Sequence, residues 1–260
     1  MSDPVRTLLT GATGTLGRAL RPRLVEAGHD VRAASRSPRS AADGVEWVEL
    51  DLADGTGLPE ALEGVDVVVH AASAPRGDSE AVDVRGTERL LEAAAAEGVS
   101  NVCYVSIVGV DRIPLSYYEH KREAERLVEE RPVPSTIVRA TQFHSFAFEL
   151  LETVSRLPIW PLPTAVRIQP VDVGEVAAAI CERATLEPAG RVPPVGGPEV
   201  RTVRELASAY REAKGLGRPI VRLPVPGSAA AAFRNGEATC PDRAVGTVSW
   251  EAWLSRRLDS

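Results

Sequence analysis

Val5-Arg-Thr-Leu-Leu-Thr-Gly-Ala-Thr-Gly-Thr-Leu-Gly17 sets a short apolar run directly before glycines at 11, 14 and 17, after which helix-forming residues begin. In a strand-turn-helix each glycine has its own task. The first permits the tight turn, the second lets backbone approach a pyrophosphate, and the third lets the new helix pack on the sheet. The free N–H groups and positive dipole end of that helix then suit phosphate. The spacing therefore predicts a dinucleotide site built from Gly11, Thr13, Gly14, Thr15, Leu16 and Gly17. A steric need for glycine alone would give the same triplet, so the pattern of the next hundred residues has to decide.

Those residues alternate short β-branched runs with longer helical stretches. Strands are predicted at Thr7–Thr10, Asp30–Ala34, Glu46–Leu50, Val65–His70, Asn101–Ser106 and Ser135–Arg139, with helices near Gly14–Ala27, Ala81–Glu97 and Ser116–Glu130. That rhythm is the signature of βαβ units, and strands as apolar as Val-Asp-Val-Val-Val-His imply helices on both faces. The expected fold is α/β, a doubly wound Rossmann-type parallel sheet over residues 1–140. After about Thr141 the pattern changes. Phe143, Phe146 and Phe148 cluster before a proline-rich turn at Leu157-Pro-Ile-Trp-Pro-Leu-Pro163. Further elements are predicted at Arg167–Val171, Val173–Arg183, Thr202–Lys214 and Pro219–Leu223. No linker separates the halves, so residues 141–260 are expected as a small substrate lobe interwoven with the core in a single structural domain.

The composition excludes several classes of function. A formal charge of −6 and a pI near 5.4 leave no general basic face for nucleic acid or an anionic membrane. No apolar run reaches about 18 residues and the N-terminus enters a strand directly, so neither a membrane span nor a signal peptide is expected and the location is read as cytoplasmic. Cys103, Cys181 and Cys240 are an odd set without metal spacing, and His29, His70, His120 and His144 are scattered. They predict free thiols and no metal. A small molecule is the expected partner, and the residues leave the oligomeric state open.

Taken in order, the motifs resemble the short-chain dehydrogenase/reductase superfamily, in its extended and atypical branches. They are Thr10-Gly-Ala-Thr-Gly-Thr-Leu-Gly17, Asp51-Leu52, His70-Ala-Ala-Ser73, Val82-Asp-Val-Arg-Gly-Thr87, Tyr104-Val-Ser106 and Tyr117-Tyr-Glu-His-Lys121. The likeness covers roughly residues 5–140. Looser motifs, Arg139-Ala-Thr-Gln-Phe143 and Gln169-Pro-Val-Asp-Val173, look like NmrA-like members. The resemblance implies that Asp51 and Leu52 contact the adenine, that Ala71, Ala72 and Ser73 line the cofactor, that Tyr117 gives a proton to a carbonyl oxygen and that Lys121 holds the nicotinamide ribose. An ammonium beside the tyrosine is expected to lower its pKa from near 10. Ser106 is the candidate oxyanion donor, although it lies closer to Tyr117 in sequence than the family's serine usually does. Asp51 could instead close an Asx-turn, and His70 reads better as a satisfied core histidine than as a catalyst.

NAD sites place an acid about 20 residues past the glycines. Here Val31-Arg-Ala-Ala-Ser-Arg-Ser-Pro-Arg-Ser40 has none. Ser35 and Arg36 stand in its place, and a guanidinium there suits a 2′-phosphate, so NADP(H) is the expected cofactor. The chain has only two lysines, and both follow a tyrosine by four. Tyr210 shares an amphipathic helix face with Leu206, and Lys214 suits that helix's end, so this second pair reads as packing. Phe143, His144 and Trp160 are candidate substrate contacts, although Phe143, Phe146 and Leu150 equally fit ordinary helix packing. The expected activity is hydride transfer to an apolar carbonyl or conjugated carbonyl. A non-catalytic NADP-sensing regulator and a nucleotide-sugar epimerase or dehydratase remain the alternatives, because fold alone does not select among them.

Overall fold

The computed structural model of the chain describes residues 4–37, 39 and 44–259. In chain order the elements are β1 Arg6–Thr10, α1 Thr15–Glu26, β2 Asp30–Ser35, β3 Glu46–Glu49, α2 Leu58–Leu62 and β4 Val67–His70. A π-helical turn at Glu80–Arg85 runs into α3 Gly86–Ala96, and β5 Asn101–Ile107, α4 Ser116–Glu130 and β6 Ser135–Ala140 come next. The later elements are α5 His144–Ser155, β7 Trp160–Leu162, β8 Arg167–Ile168, α6 Val173–Cys181, β9 Gly190–Arg191, β10 Arg201–Thr202, α7 Val203–Ala213, β11 Ile220–Arg222, α8 Ser228–Arg234 and α9 Trp250–Leu258. Pro38 and Ser40, in the stretch used to choose the cofactor, lie outside the described residues.

Seven strands form a parallel sheet in the order β3-β2-β1-β4-β5-β6-β9. The order reverses between β1 and β4, whose registered pair Thr10 and His70 marks the carboxyl end of both strands. In an open α/β sheet a ligand belongs in the crevice beyond such a switch point. The chain divides into two compact units. The first comprises the described residues of Met1–Ser106, Ser116–Arg139 and Gly174–Pro193, and the second those of Ile107–Leu115, Ala140–Val173 and Pro194–Ser260.

The first unit's core sets Leu8, Val68, Val102 and Ile137 from the strands against Leu90, Leu91, Ala124 and Leu127 from α3 and α4. The sequence expectation divides the chain near residue 140, whereas the structure returns Gly174–Pro193 to the first unit. The cause is hydrogen bonding. β9 pairs in parallel with β6 (Thr136 with Gly190, Ile137 with Arg191), and Asn101 Nδ2 donates to the carbonyls of Arg183 and Thr185 at 3.2 and 2.9 Å.

The second unit packs Ala147 and Leu151 of α5, Leu206, Ala207 and Tyr210 of α7, and Trp250 and Leu254 of α9 around Trp160. Helix α7 starts with a capping box in which Thr202 and Glu205 satisfy each other's backbone N–H. Tyr210 is fully buried and donates to Glu152 Oε2 at 3.3 Å, the carboxylate that also pairs with Lys214. This second tyrosine-lysine pair is part of the packing.

A Cβ on Gly17 would stand 2.2 Å from the Gly11 carbonyl oxygen and 2.6 Å from Ala12 Cα, both backbone atoms that cannot swing aside. Gly17→Ala is therefore expected to destabilise the fold by about 1–3 kcal/mol, the usual range for overpacking. Urea unfolding measures this, and a wild-type midpoint would show that α1 can shift away from the turn.

Candidate functional site

The three glycines of the opening turn differ as their sequence roles require. Gly11 has φ +67° and a Cβ there would lie 2.7 Å from Ala71 backbone atoms, so it makes the sharp turn against the end of β4. Gly14 behaves otherwise, because a Cβ would meet only the Gly11 carbonyl oxygen, at 3.3 Å. It is exposed and caps α1 with no side-chain hydrogen bond, and the first helical turn has no acidic residue. Open space, uncapped N–H groups and a positive helix end fit a dinucleotide's pyrophosphate. Thr13 and Thr15 flank this opening, while Leu16 is buried.

At the end of β2, Ser35 is buried and its Oγ accepts from Arg39 Nε at 3.2 Å and from the Ser37 N–H at 3.3 Å. Arg36 is exposed. Arg39, which the sequence reading passes over, also lies 5.2 Å from the Trp47 ring centroid, and Arg21 stands at the same distance. Its signal was its place in an acid-free loop. At the end of β3 Leu52 is buried, and Asp51 Oδ1 accepts from the Ala53 N–H at 2.9 Å in the Asx-turn weighed as its alternative.

Beyond β1 and β4 lies a buried polar network whose proton count can be traced atom by atom. Thr87 Oγ1 donates to the Asp83 carbonyl at 2.7 Å, so it accepts from His70 Nε2 at 2.9 Å. His70 Nδ1 is then left as an acceptor for Thr10 Oγ1 at 2.7 Å. Burial pushes His70 down to about 3, with the Lys121 charge adding to the effect, and the ring stays neutral. It is a satisfied core histidine.

Asp83 sits on the π turn, fully buried, and organises the next layer. Its Oδ1 accepts from Ser73 Oγ at 2.6 Å, its Oδ2 from the Ala74 N–H at 3.0 Å, and Lys121 Nζ stands 3.5 Å from Oδ1. Lys121 is 2 % exposed, donates to the Val105 carbonyl at 2.8 Å, and lies 4.4 Å above the Tyr104 ring. Burial lowers its pKa against the opposing pull of Asp83. Ser73 has spent its one proton on Asp83, so at 2.9 Å it accepts from Tyr117 Oη. Tyr117 is half-buried and Ser73 is exposed, which leaves this end of the chain open to a ligand.

Three expectations need correction. Tyr117 is pushed up to about 12 and not lowered, chiefly by burial. The Asp83 carboxylate adds to the rise and the Ser73 hydrogen bond opposes it, while the nearby ammonium is already paired with Asp83. Ser106 Oγ is buried with no hydrogen-bond partner among the described residues, and the serine beside the tyrosine is Ser73. In the second unit Trp160 is fully buried in the core, and His144 is buried against both the Trp250 and the Trp253 ring, each at 5.7 Å, with Nε2 against the Val248 carbonyl at 3.0 Å. Phe143, by contrast, stays half-buried. Proline and aromatic clustering marked a hydrophobic core here. Among the described residues no group of three His, Cys, Asp or Glu side chains is placed to hold a metal ion, and no helix is long and apolar enough to cross a membrane.

Comparison with known proteins agrees with this geometry. The profile of the NAD(P)H-binding family matches residues 11–183. A Streptomyces griseus (4-alkanoyl-5-oxo-2,5-dihydrofuran-3-yl)methyl phosphate reductase is 33% identical over 223 residues, 82% of this chain and 74% of its own. An uncharacterised Mycobacterium tuberculosis protein is 29% identical over 226 residues, 85% of this chain, which spans only 24% of that relative's length. The fold is shared with an Escherichia coli NADPH-dependent quinone oxidoreductase solved with NADPH, at a TM-score of 0.82 and 18% identity over 97% of this chain and 99% of the other. With the glycine turn, the switch-point crevice and the Tyr117–Lys121 helix in place, the chain belongs to the NAD(P)H-binding family, within the extended and atypical short-chain dehydrogenase/reductases.

Proposed function

We propose that the chain is an NADP(H)-dependent oxidoreductase that reduces a carbonyl or conjugated carbonyl, such as a ketone, aldehyde or quinone, with Tyr117 as general acid. The observation that carries this reading is the Tyr117 hydroxyl, protonated at neutral pH and hydrogen-bonded to an exposed serine at the carboxyl end of the sheet. The turn Gly11–Gly17 would hold the pyrophosphate, with Thr13, Thr15 and Leu16 around it. Ser35, Arg36 and Arg39 would hold the 2′-phosphate, Asp51 and Leu52 the adenine, and Ala71 and Ala72 the nicotinamide end. When bound, the cofactor supplies the hydride. The rest of the chemistry belongs to the chain.

Tyr117 releases its proton to the substrate oxygen as negative charge develops there, which removes the need for a free acid in solution. Lys121 contributes a fixed positive charge beneath the site. For it to hold a ribose, as the family resemblance implies, the ammonium would have to give up Val105 or Asp83. The S. griseus relative is named a reductase, which supports the direction of the reaction, and the E. coli structural neighbour an NADPH-dependent quinone oxidoreductase. A binding-only NADP sensor is the second reading, favoured by a Ser106 hydroxyl that has no hydrogen-bond partner among the described residues. Incubating the protein with NADPH and a panel of quinones, aldehydes and ketones separates the two, because the sensor binds without turnover.

Three results are expected. Gly14→Val should abolish NADPH binding in calorimetry while circular dichroism stays native, since its side chain would fill the cradle; undiminished affinity would make the turn structural only. Arg36→Ala should weaken NADPH about 10- to 150-fold and leave NADH nearly unchanged, the worth of one charge-assisted contact of about 1.5–3 kcal/mol. Equal wild-type affinity for the two cofactors would refute the NADP preference. Tyr117→Phe should lower kcat by about 10²- to 10⁴-fold with NADPH affinity intact, whereas Tyr210→Phe should change it little. A Tyr117→Phe variant retaining most of its turnover would remove the tyrosine from the mechanism.

A further inference from the structure

We propose that Ser73, anchored by Asp83, is the positioning hydroxyl of Tyr117, in the place that the family resemblance gives to Ser106. Three observations converge on it. Ser73 Oγ is 2.9 Å from Tyr117 Oη and 2.6 Å from Asp83 Oδ1. Asp83 cannot turn away, because the Ala74 N–H holds Oδ2 and the buried Lys121 faces Oδ1. Ser106 Oγ, by contrast, is buried with no hydrogen-bond partner among the described residues.

One proton decides how the chain of contacts works. In the resting protein the Ser73 hydroxyl points at Asp83, and its oxygen accepts the Tyr117 proton, so the acid is held in one orientation. In turnover the Tyr117 O–H bond breaks and a substrate O–H bond forms, while hydride arrives at the substrate carbon. The Ser73 O–H bond does not break. It rotates from Asp83 to the new phenolate, and Asp83 keeps the Ala74 N–H and Lys121. Solvent then returns a proton to Tyr117. Ser73 thus stabilises the ionised tyrosine, in line with its lowering effect on the Tyr117 pKa, and Asp83 opposes ionisation. The turnover half of this proposal rests on Tyr117 being the acid; the hydrogen-bond half does not.

The test is carbon-13 NMR of the full chain labelled at tyrosine Cζ, without cofactor. Four tyrosines give four resonances, and Tyr117→Phe identifies the one of interest. At neutral pH Ser73→Ala should displace the Tyr117 resonance, Ser73→Thr should restore it, and Ser106→Ala should leave it in place. In alkaline titration Asp83→Asn should lower the Tyr117 midpoint by about one unit or more, because a repelling carboxylate is removed and the Ser73 proton is freed for the phenolate. A purely structural role for either residue predicts no such drop. Where Asp83→Asn fails to fold, the Ser73 pair still decides. A Tyr117 resonance indifferent to Ser73→Ala, or displaced by Ser106→Ala, overturns the proposal. An absence of turnover across the substrate panel would instead count against Tyr117 as acid. Where turnover is found, Ser73→Ala should lower kcat at least about tenfold with NADPH affinity unchanged; loss of NADPH affinity alone would mark Ser73 as a cofactor contact.

Discussion

Lys121 and Asp83 are buried together, and neither could occupy its place alone. An isolated ion in such surroundings costs several kcal/mol in lost hydration, and mutual attraction offsets that only when the remaining hydrogen-bonding capacity is met. In this site both ions meet that condition. The ammonium has the Val105 carbonyl and the Tyr104 ring, and the carboxylate has Ser73 and the Ala74 N–H. This requirement ties the loop after β4, β5, the π turn and α4 into one arrangement, because each supplies a member of the network. A π turn in place of regular helix is a common local solution where a side chain must be aimed at a site.

The same network fixes how the site responds to acidity. His70 remains neutral down to about 3, and Tyr117 keeps its proton up to about 12. Neither group changes charge near neutrality, so the hydrogen-bond directions worked out for Thr10, His70, Thr87, Asp83 and Ser73 hold across that range. The network also lies beside a core cluster that, Tyr104 aside, is aliphatic. Satisfied polar groups of this kind admit few alternative packings.

Most of the first unit is legible from residues alone, because the glycine spacing, the apolar strand runs and α4 are local signals. The Ser116–Glu130 helix lies where the sequence places it. The serine is another matter. Ser73 and Tyr117 are 44 residues apart and are brought together by the parallel β4-β5 pair, whereas the sequence offers Ser106 through the family resemblance, which places a serine at the end of the fifth strand. Asp83 is hidden for a similar reason, inside a stretch that reads as ordinary helix but opens with a π turn. In the second unit, Trp160 with the phenylalanine cluster suggests a substrate contact, whereas residues of α7 and α9 pack around it in the core. Helices α8 and α9 are short, and neither carries a motif strong enough to announce it.

The return of Gly174–Pro193 to the first unit bears on how the protein comes into being. A ribosome makes β6 some fifty residues before its neighbour β9, a separation read directly from the strand positions. Until β9 is available, one side of β6 presents an unpaired strand edge, the feature by which sheets recruit other chains. The nascent first unit therefore cannot complete its sheet from a contiguous stretch of polypeptide, and its last strand edge stays open until Gly190 and Arg191 have been made.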